Sequence, residues 1–181
     1  VYDCAIEENT MEYLKKCNFA HSPREERPGL GQNIWEFSDN NYDKSAAAAR
    51  AMNDWFAELA QHGVPGDNIL SDKVLYKIGH YSQMVWQSSY RLGCGVHSCP
   101  HMMFVACEYG PAGNIFDHPI YDVGDPCTTD GDCNDNGDSQ TCLASTTEQP
   151  QQQAEEAHGQ AAKETQKSFS LFNCSIVKAM V

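Results

Sequence analysis

Met102-Met103-Phe104-Val105-Ala106-Cys107-Glu108-Tyr109 is a nearly continuous apolar run of strand length. A strand with one wet face alternates polar and apolar residues, whereas this one does not, so it reads as a central strand covered on both sides. Just upstream, Leu92, Cys94 and Val96 alternate with polar or small neighbours, as a strand does. The connection between them is short and carries Cys99, so the two strands are expected to pair as a hairpin. Gly79-His80-Tyr81-Ser82-Gln83-Met84-Val85-Trp86, before that hairpin, is too short to assign by its period.

Outward from this centre the pattern turns helical. Residues 43–62 hold four consecutive alanines, Ala46 to Ala49, and an apolar stripe of Ala48, Met52, Trp55, Phe56 and Leu59. Gly63 is placed to stop this helix and Pro65 follows. Residues 3–17 read as a second helix: Asp3 is placed to cap it, and Ile6, Thr10, Tyr13, Leu14 and Cys17 recur near helical spacing. Residues 18–33, with Pro23, Pro28, Gly29 and Gly31, read as a loop, and 34–37 as a short strand. Trp35, Trp55 and Trp86 are expected in the core.

Composition sets the class. Nine cysteines lie at uneven spacings without paired Cys-x-x-Cys sets, which points to disulfides and an oxidising compartment rather than a zinc ribbon. Nine is odd, so at least one cysteine lacks a partner within the chain. The net charge of −13, from 25 acidic and 12 basic residues, argues against nucleic acid or anionic lipid as charge-matched partners. No stretch approaches the ~20 apolar residues of a membrane span. Val1-Tyr2-Asp3-Cys4 opens within a helix start, so the chain reads as processed or as a piece with residues upstream.

After Pro126 the texture changes. Cys127, Cys133 and Cys142 sit among Asp, Asn, Gly and Thr, as in a small loop-rich module held by disulfides. Three cysteines cannot pair among themselves, so one is expected to take Cys4, Cys174 or a cysteine outside the chain. Asp132-x-Asn134-x-Asn136-Gly137-Asp138 copies the start of a calcium loop, but Leu143 stands where the closing acid belongs. Residues 145–168, rich in Gln, Glu, Ala, Thr and Ser, read as a flexible linker. The apolar tail 168–181 is too short to fold alone; Asn173-Cys174-Ser175 within it fits the glycosylation pattern. The expected division is a domain over 1–126, a cysteine-rich hinge over 127–144, and a linker with an unassigned tail over 145–181.

Two long motifs carry a family resemblance. Residues 79–86, quoted above, and Phe104-Val105-Ala106-Cys107-Glu108-Tyr109-Gly110-Pro111-Ala112-Gly113-Asn114-Ile115 resemble, in order and separation, the two signatures of the CAP superfamily. That superfamily holds cysteine-rich secretory proteins, venom antigen 5 and plant pathogenesis-related proteins. Glu108 departs, standing where an amide or basic residue is usual. His21-Ser22, Gly31-Gln32-Asn33 and Trp55-Phe56-Ala57-Glu58 follow the family's order, and the wording is most similar to nematode venom-allergen-like, activation-associated secreted proteins. The resemblance implies an α+β fold, a three-layer α-β-α sandwich with a small antiparallel sheet. It implies disulfides Cys17–Cys99 and Cys94–Cys107, each contributing ~2–4 kcal/mol, a first helix preceding Tyr2, and secretion to the extracellular space.

The resemblance also implies a cavity with two histidines and two carboxylates. His21 and His80 match the histidines and Glu58 one carboxylate, while the second position is Gln32. Neutral imidazoles at His21 and His80 can ligate Zn²⁺, the cofactor this pattern implies, and leave positions open for water. Glu58 is then the only candidate base, and Gln32 removes both a charge and an acid–base partner. On their own residues, His21 in a loop reads as surface or packing, and Glu58 as a solvated helix face. His97 and His101, bracketing Cys99, read as exposed polar residues near the hairpin turn. Ser22 and Ser82 have no evident base-and-orienter set.

Three functions compete. The first is a non-enzymatic secreted effector that binds a host or extracellular protein, or a lipid or sterol, and acts in immunomodulation. The second is a metal-assisted hydrolase with His21 and His80 as ligands and Glu58 as base. The third is an adhesion or structural protein tethered through its tail. The incomplete cavity favours the first.

Overall fold

The computed structural model describes residues 1–123. The cysteine trio, the calcium-like run, the linker, the glycosylation pattern and the apolar tail lie outside the described residues. The elements follow in the order α1 (Cys4–Leu14), β1 (Gly31–Phe37), α2 (Lys44–His62), α3 (Asp72–Met84), β2 (Arg91–Ser98) and β3 (Met103–Gly110). The sheet is antiparallel with strand order β1-β3-β2, so the apolar run is its centre and is buried along its whole length.

The two faces of β3 divide by parity, as a period of two requires. Met103, Val105, Cys107 and Tyr109 join Val96 of β2 and Ala47, Ala48, Ala51 and Trp55 of α2 in one core cluster. Phe104 and Ala106 point the other way and pack with Tyr13 and Leu14 of α1. The layers are therefore α1, sheet, and α2 with α3: the expected α-β-α sandwich. No described helix is long and apolar enough to cross a membrane.

Helix boundaries follow their caps. Asp3 accepts from the amides of Ala5 and Ile6 at the start of α1, and Asp43 from that of Ala46 at the start of α2. Gly63, at φ 68°, ends α2 with its N–H on the Leu59 carbonyl. The expected end of α1 at Cys17 is corrected to Leu14: Cys17 adopts φ 51° and the chain turns there, carrying its sulfur to Cys99. The stripe of α2 is corrected too. Phe56 is 48% exposed and meets the Tyr81 ring edge-on at 5.4 Å, and small alanines take the inward face instead. Of the tryptophans, Trp55 and Trp86 are buried, while Trp35 is only partly so and lies under Arg50.

Residues 79–86, unassigned from sequence, form the C-terminal half of α3 and the turn after it. Ile78 interrupts that helix with φ −131° and ψ 28°. A second disulfide joins the cross-strand partners Cys94 and Cys107.

Close approach of α1 to the sheet rests on two glycines of β2. A Cβ at Gly93 would lie 2.3 Å from the Glu7 amide nitrogen, and one at Gly95 would lie 2.6 Å from the Met11 sulfur. The first obstacle is backbone, so α1 itself would have to move. Gly93→Ala is expected to lower the unfolding free energy in urea by about 1–3 kcal/mol. Gly66→Ala, where nothing lies within 4 Å, should change it by less than about 0.5 kcal/mol.

Candidate functional site

The break at Ile78 makes the rest of α3 a new helix start, with amides that have no intrahelical acceptor. Glu58, reaching across from α2, supplies one. Its Oε2 accepts from the His80 and Tyr81 amides, both at 2.9 Å, and its Oε1 accepts from His80 Nδ1 at 2.6 Å. The carboxylate therefore acts as a cap donated by a neighbouring helix and as an orienter of the imidazole. The His80 ring stacks on Trp55 at 6.0 Å and 12°, and its carbonyl accepts from Asn33 Nδ2. Asn114 straps the same turn, donating to the Gly79 carbonyl and accepting from the Ser82 hydroxyl. Gln83 Oε1 holds the Gly113 amide. His80 thus sits on a helix, and Gln83 braces the 113–114 segment.

His21 is placed by the start of β1. Gln32 Oε1 lies 3.0 Å from both His21 Nδ1 and the Ser22 amide. Gln32 Nε2 donates to Ser22 Oγ and to Glu108 Oε1, each at 3.0 Å. Glu108 is Gln32's register partner across β1 and β3 and is fully buried. It also accepts from Asn9 Nδ2 at 2.9 Å and lies 3.5 Å from Ser22 Oγ. The carboxyl group that Gln32 removes is therefore present one strand over. The departure at Glu108 was visible in the sequence; its pairing with Gln32 needed the strand register.

Hydrogen-bond logic sets both imidazoles. A carboxylate accepts only, so the Nδ1 of His80 carries the proton that Glu58 receives. The Ser22 amide can only donate, so Gln32 presents oxygen on that side, and His21 Nδ1 is also the donor. In its neutral form each ring then carries its lone pair on Nε2, the form in which an imidazole binds a metal ion with an orienting partner behind it. His21 is exposed at one edge, yet partial desolvation of its ring, followed by the charge of Arg27, holds it below the ordinary imidazole range, against the opposing effect of its hydrogen bond to Gln32. The neutral ligand form is thereby favoured.

The candidate base of the sequence is already hydrogen-bonded within the fold. Three donors already occupy Glu58. Ser22 Oγ is engaged with Gln32 and Glu108, and Ser82 Oγ with Asn114; neither is hydrogen-bonded to a histidine. A different group, Cys17, His97 and Cys99, brings its ligand atoms within 4.8 Å of one another. The two sulfurs there are bonded to each other, so no thiolate is on offer. A surface cavity of about 220 Å³ lies beside α1, lined by Asn9, Glu12, Tyr13, Lys16, Ser22 and Glu26, and the two imidazoles do not line it.

Residues 1–109 match the cysteine-rich secretory protein family, CAP, and the chain belongs to that family. Within it, the chain is 42% identical over 132 residues to Ancylostoma secreted protein of Ancylostoma caninum, covering 71% of this chain and 31% of that relative. Among solved structures, NaASP2 with Zn²⁺ superposes with a TM-score of 0.68 at 45% identity, over 71% of this chain and 68% of that one. Hookworm platelet inhibitor superposes with a TM-score of 0.56 at 28% identity, over 80% and 75%. The chain spans about a third of the length of the first of these relatives.

The depressed His21 has a consequence for stability. The unfolded chain takes up this proton near the ordinary value of 6.5, and the folded one only at lower pH. Stability therefore falls as pH drops through and below 6.5. Urea midpoints measured between about pH 7.5 and about 5.5 should decline, and His21→Asn should flatten the decline.

Proposed function

We propose that this chain is a secreted, non-catalytic CAP module that engages an extracellular or host protein, with His21 and His80 holding a divalent cation such as Zn²⁺. The observation that carries this reading is the engagement of both Glu58 oxygens within the fold. Its two oxygens serve three donors within the fold, and taking a proton from a bound water would compete with capping α3. Two pinned Nε2 lone pairs and a carboxylate committed to capping α3, among the described residues, favour a site that binds an ion over one that turns over a substrate. A relative crystallised with Zn²⁺ supports the choice of ion, and one named a platelet inhibitor supports an effector role. The word "secreted" in the name of another relative supports the extracellular location.

A protein partner is favoured over a lipid or sterol. The cavity beside α1, among the described residues, is smaller than the ~300 Å³ at which drug-sized ligand sites begin. The acidic balance also favours a basic protein surface over anionic lipid.

Calorimetric titration of Zn²⁺ into the chain at neutral pH should show a dissociation constant on the order of 1 μM or tighter. His80→Ala should abolish that binding. Zn²⁺ binding that survives in His80→Ala would place the ion elsewhere. Loss of a peptidase activity of the Zn²⁺-loaded chain in Glu58→Gln, with its fold intact, would overturn the non-catalytic reading.

A further inference from the structure

We infer that Glu108 is a positioning residue for His21: acting through the carboxamide of Gln32, it sets which nitrogen of the His21 ring carries the proton. The inference rests on the proposed cation site only for its use, since the relay itself is a property of the metal-free protein.

Gln32 has four hydrogen-bonding positions and all four are taken. The oxygen receives the Ser22 amide and His21 Nδ1; the nitrogen gives to Ser22 Oγ and Glu108 Oε1. A carboxamide rotated by half a turn would set its NH2 against the Ser22 N–H and its oxygen against the Glu108 oxygen. Two groups therefore lock the same orientation from opposite ends: a backbone donor that needs oxygen, and a buried carboxylate that needs N–H. Glu108 can do this because its own partners are donors. Asn9 Nδ2 gives to one of its oxygens, and Gln32 Nε2 and Ser22 Oγ approach the other. Arg27, whose guanidinium is held by the Ser22 and Leu30 carbonyls, adds a favourable charge to Glu108.

The effect on His21 follows. With the lock intact, Nδ1–H gives to Gln32 and Nε2 is the basic nitrogen. With Gln at 108, either orientation of the Gln32 amide finds a partner there, and only Ser22 still discriminates. A fraction of the rings would then receive an N–H at Nδ1 and move the proton to Nε2, where no cation can bind. Acid and amide are thus exchanged across one register pair of the sheet, and the function of the acid is passed through the amide.

The test reads the histidine tautomer by nitrogen-15 NMR on the metal-free protein at a pH where the ring is neutral. Three chains are compared: unaltered, Glu108→Gln, and Gln32→Glu with Glu108→Gln. The unaltered chain should show His21 protonated on Nδ1. Glu108→Gln should show a mixture with the Nε2–H form and Zn²⁺ binding weakened by about 10-fold or more. The double exchange puts a carboxylate directly behind His21 and an NH2 donor behind the carboxylate, so it should restore both. A His21 protonated on Nε2 in the unaltered chain would overturn the inference even if Glu108→Gln fails to fold. So would a pure Nδ1–H signal in Glu108→Gln. If the tautomer responds as expected while no chain binds Zn²⁺, the cation reading fails and the positioning role stands.

Discussion

Everything in this fold answers to one constraint: β3 has no side that faces water. Its odd residues must be covered by α2 and its even residues by α1, and the whole strand is sealed. Burial of apolar area at about 25 cal/mol per Å² drives both coverings. The same sealing makes any polar side chain on β3 costly unless its hydrogen bonds are complete. Glu108 is that side chain. The α1 face supplies its donors: Asn9 from the helix, Ser22 from the following loop and Gln32 from the neighbouring strand. The cluster around His21 is thus a requirement of the core before it is a site.

The other covering brings the second half of the site. Alanines on the inward face of α2 let it lie close to the sheet, and Trp55 from the same helix forms the platform on which His80 stacks. Glu58, one turn further, reaches the restart of α3. A helix that broke at Ile78 without an external acceptor would leave buried amides unpaired, at about 1–3 kcal/mol each. The two histidines are therefore held by separate faces of one packing problem, and their side-chain orientations are set by groups the fold needs regardless of any ligand.

Much of this was legible from residue type alone. Gly63 closed α2, Asp3 opened α1, and the unalternating run over 102–109 marked the sheet centre, because caps and periods are local signals. What escaped was non-local. Cys17 looked helical by spacing, yet its disulfide to Cys99 pulls the chain into a left-handed turn. Phe56 looked like core, yet α2 approaches the sheet through its alanines and leaves that ring at the edge. The break at Ile78 has no glycine or proline to announce it, and depends on a carboxylate from another helix. Resemblance to known relatives located His21, Gln32, Glu58 and His80, but gave them as a set of residue types without their hydrogen bonds.

Those bonds change the meaning of the set. Counted by residue type, Gln32 is a lost carboxylate and Glu58 a surviving base. Counted by partners, both Glu58 oxygens are engaged and the second carboxyl group sits behind Gln32 on β3. Both imidazoles are then backed by an oxygen acceptor, and both offer Nε2. The two backings differ in kind: His80 rests directly on an acid, whereas His21 rests on an amide that rests on an acid. His80 is therefore oriented by one bond to an acid, and His21 by two bonds in series. That asymmetry follows from a single exchange of acid and amide across one pair of strands.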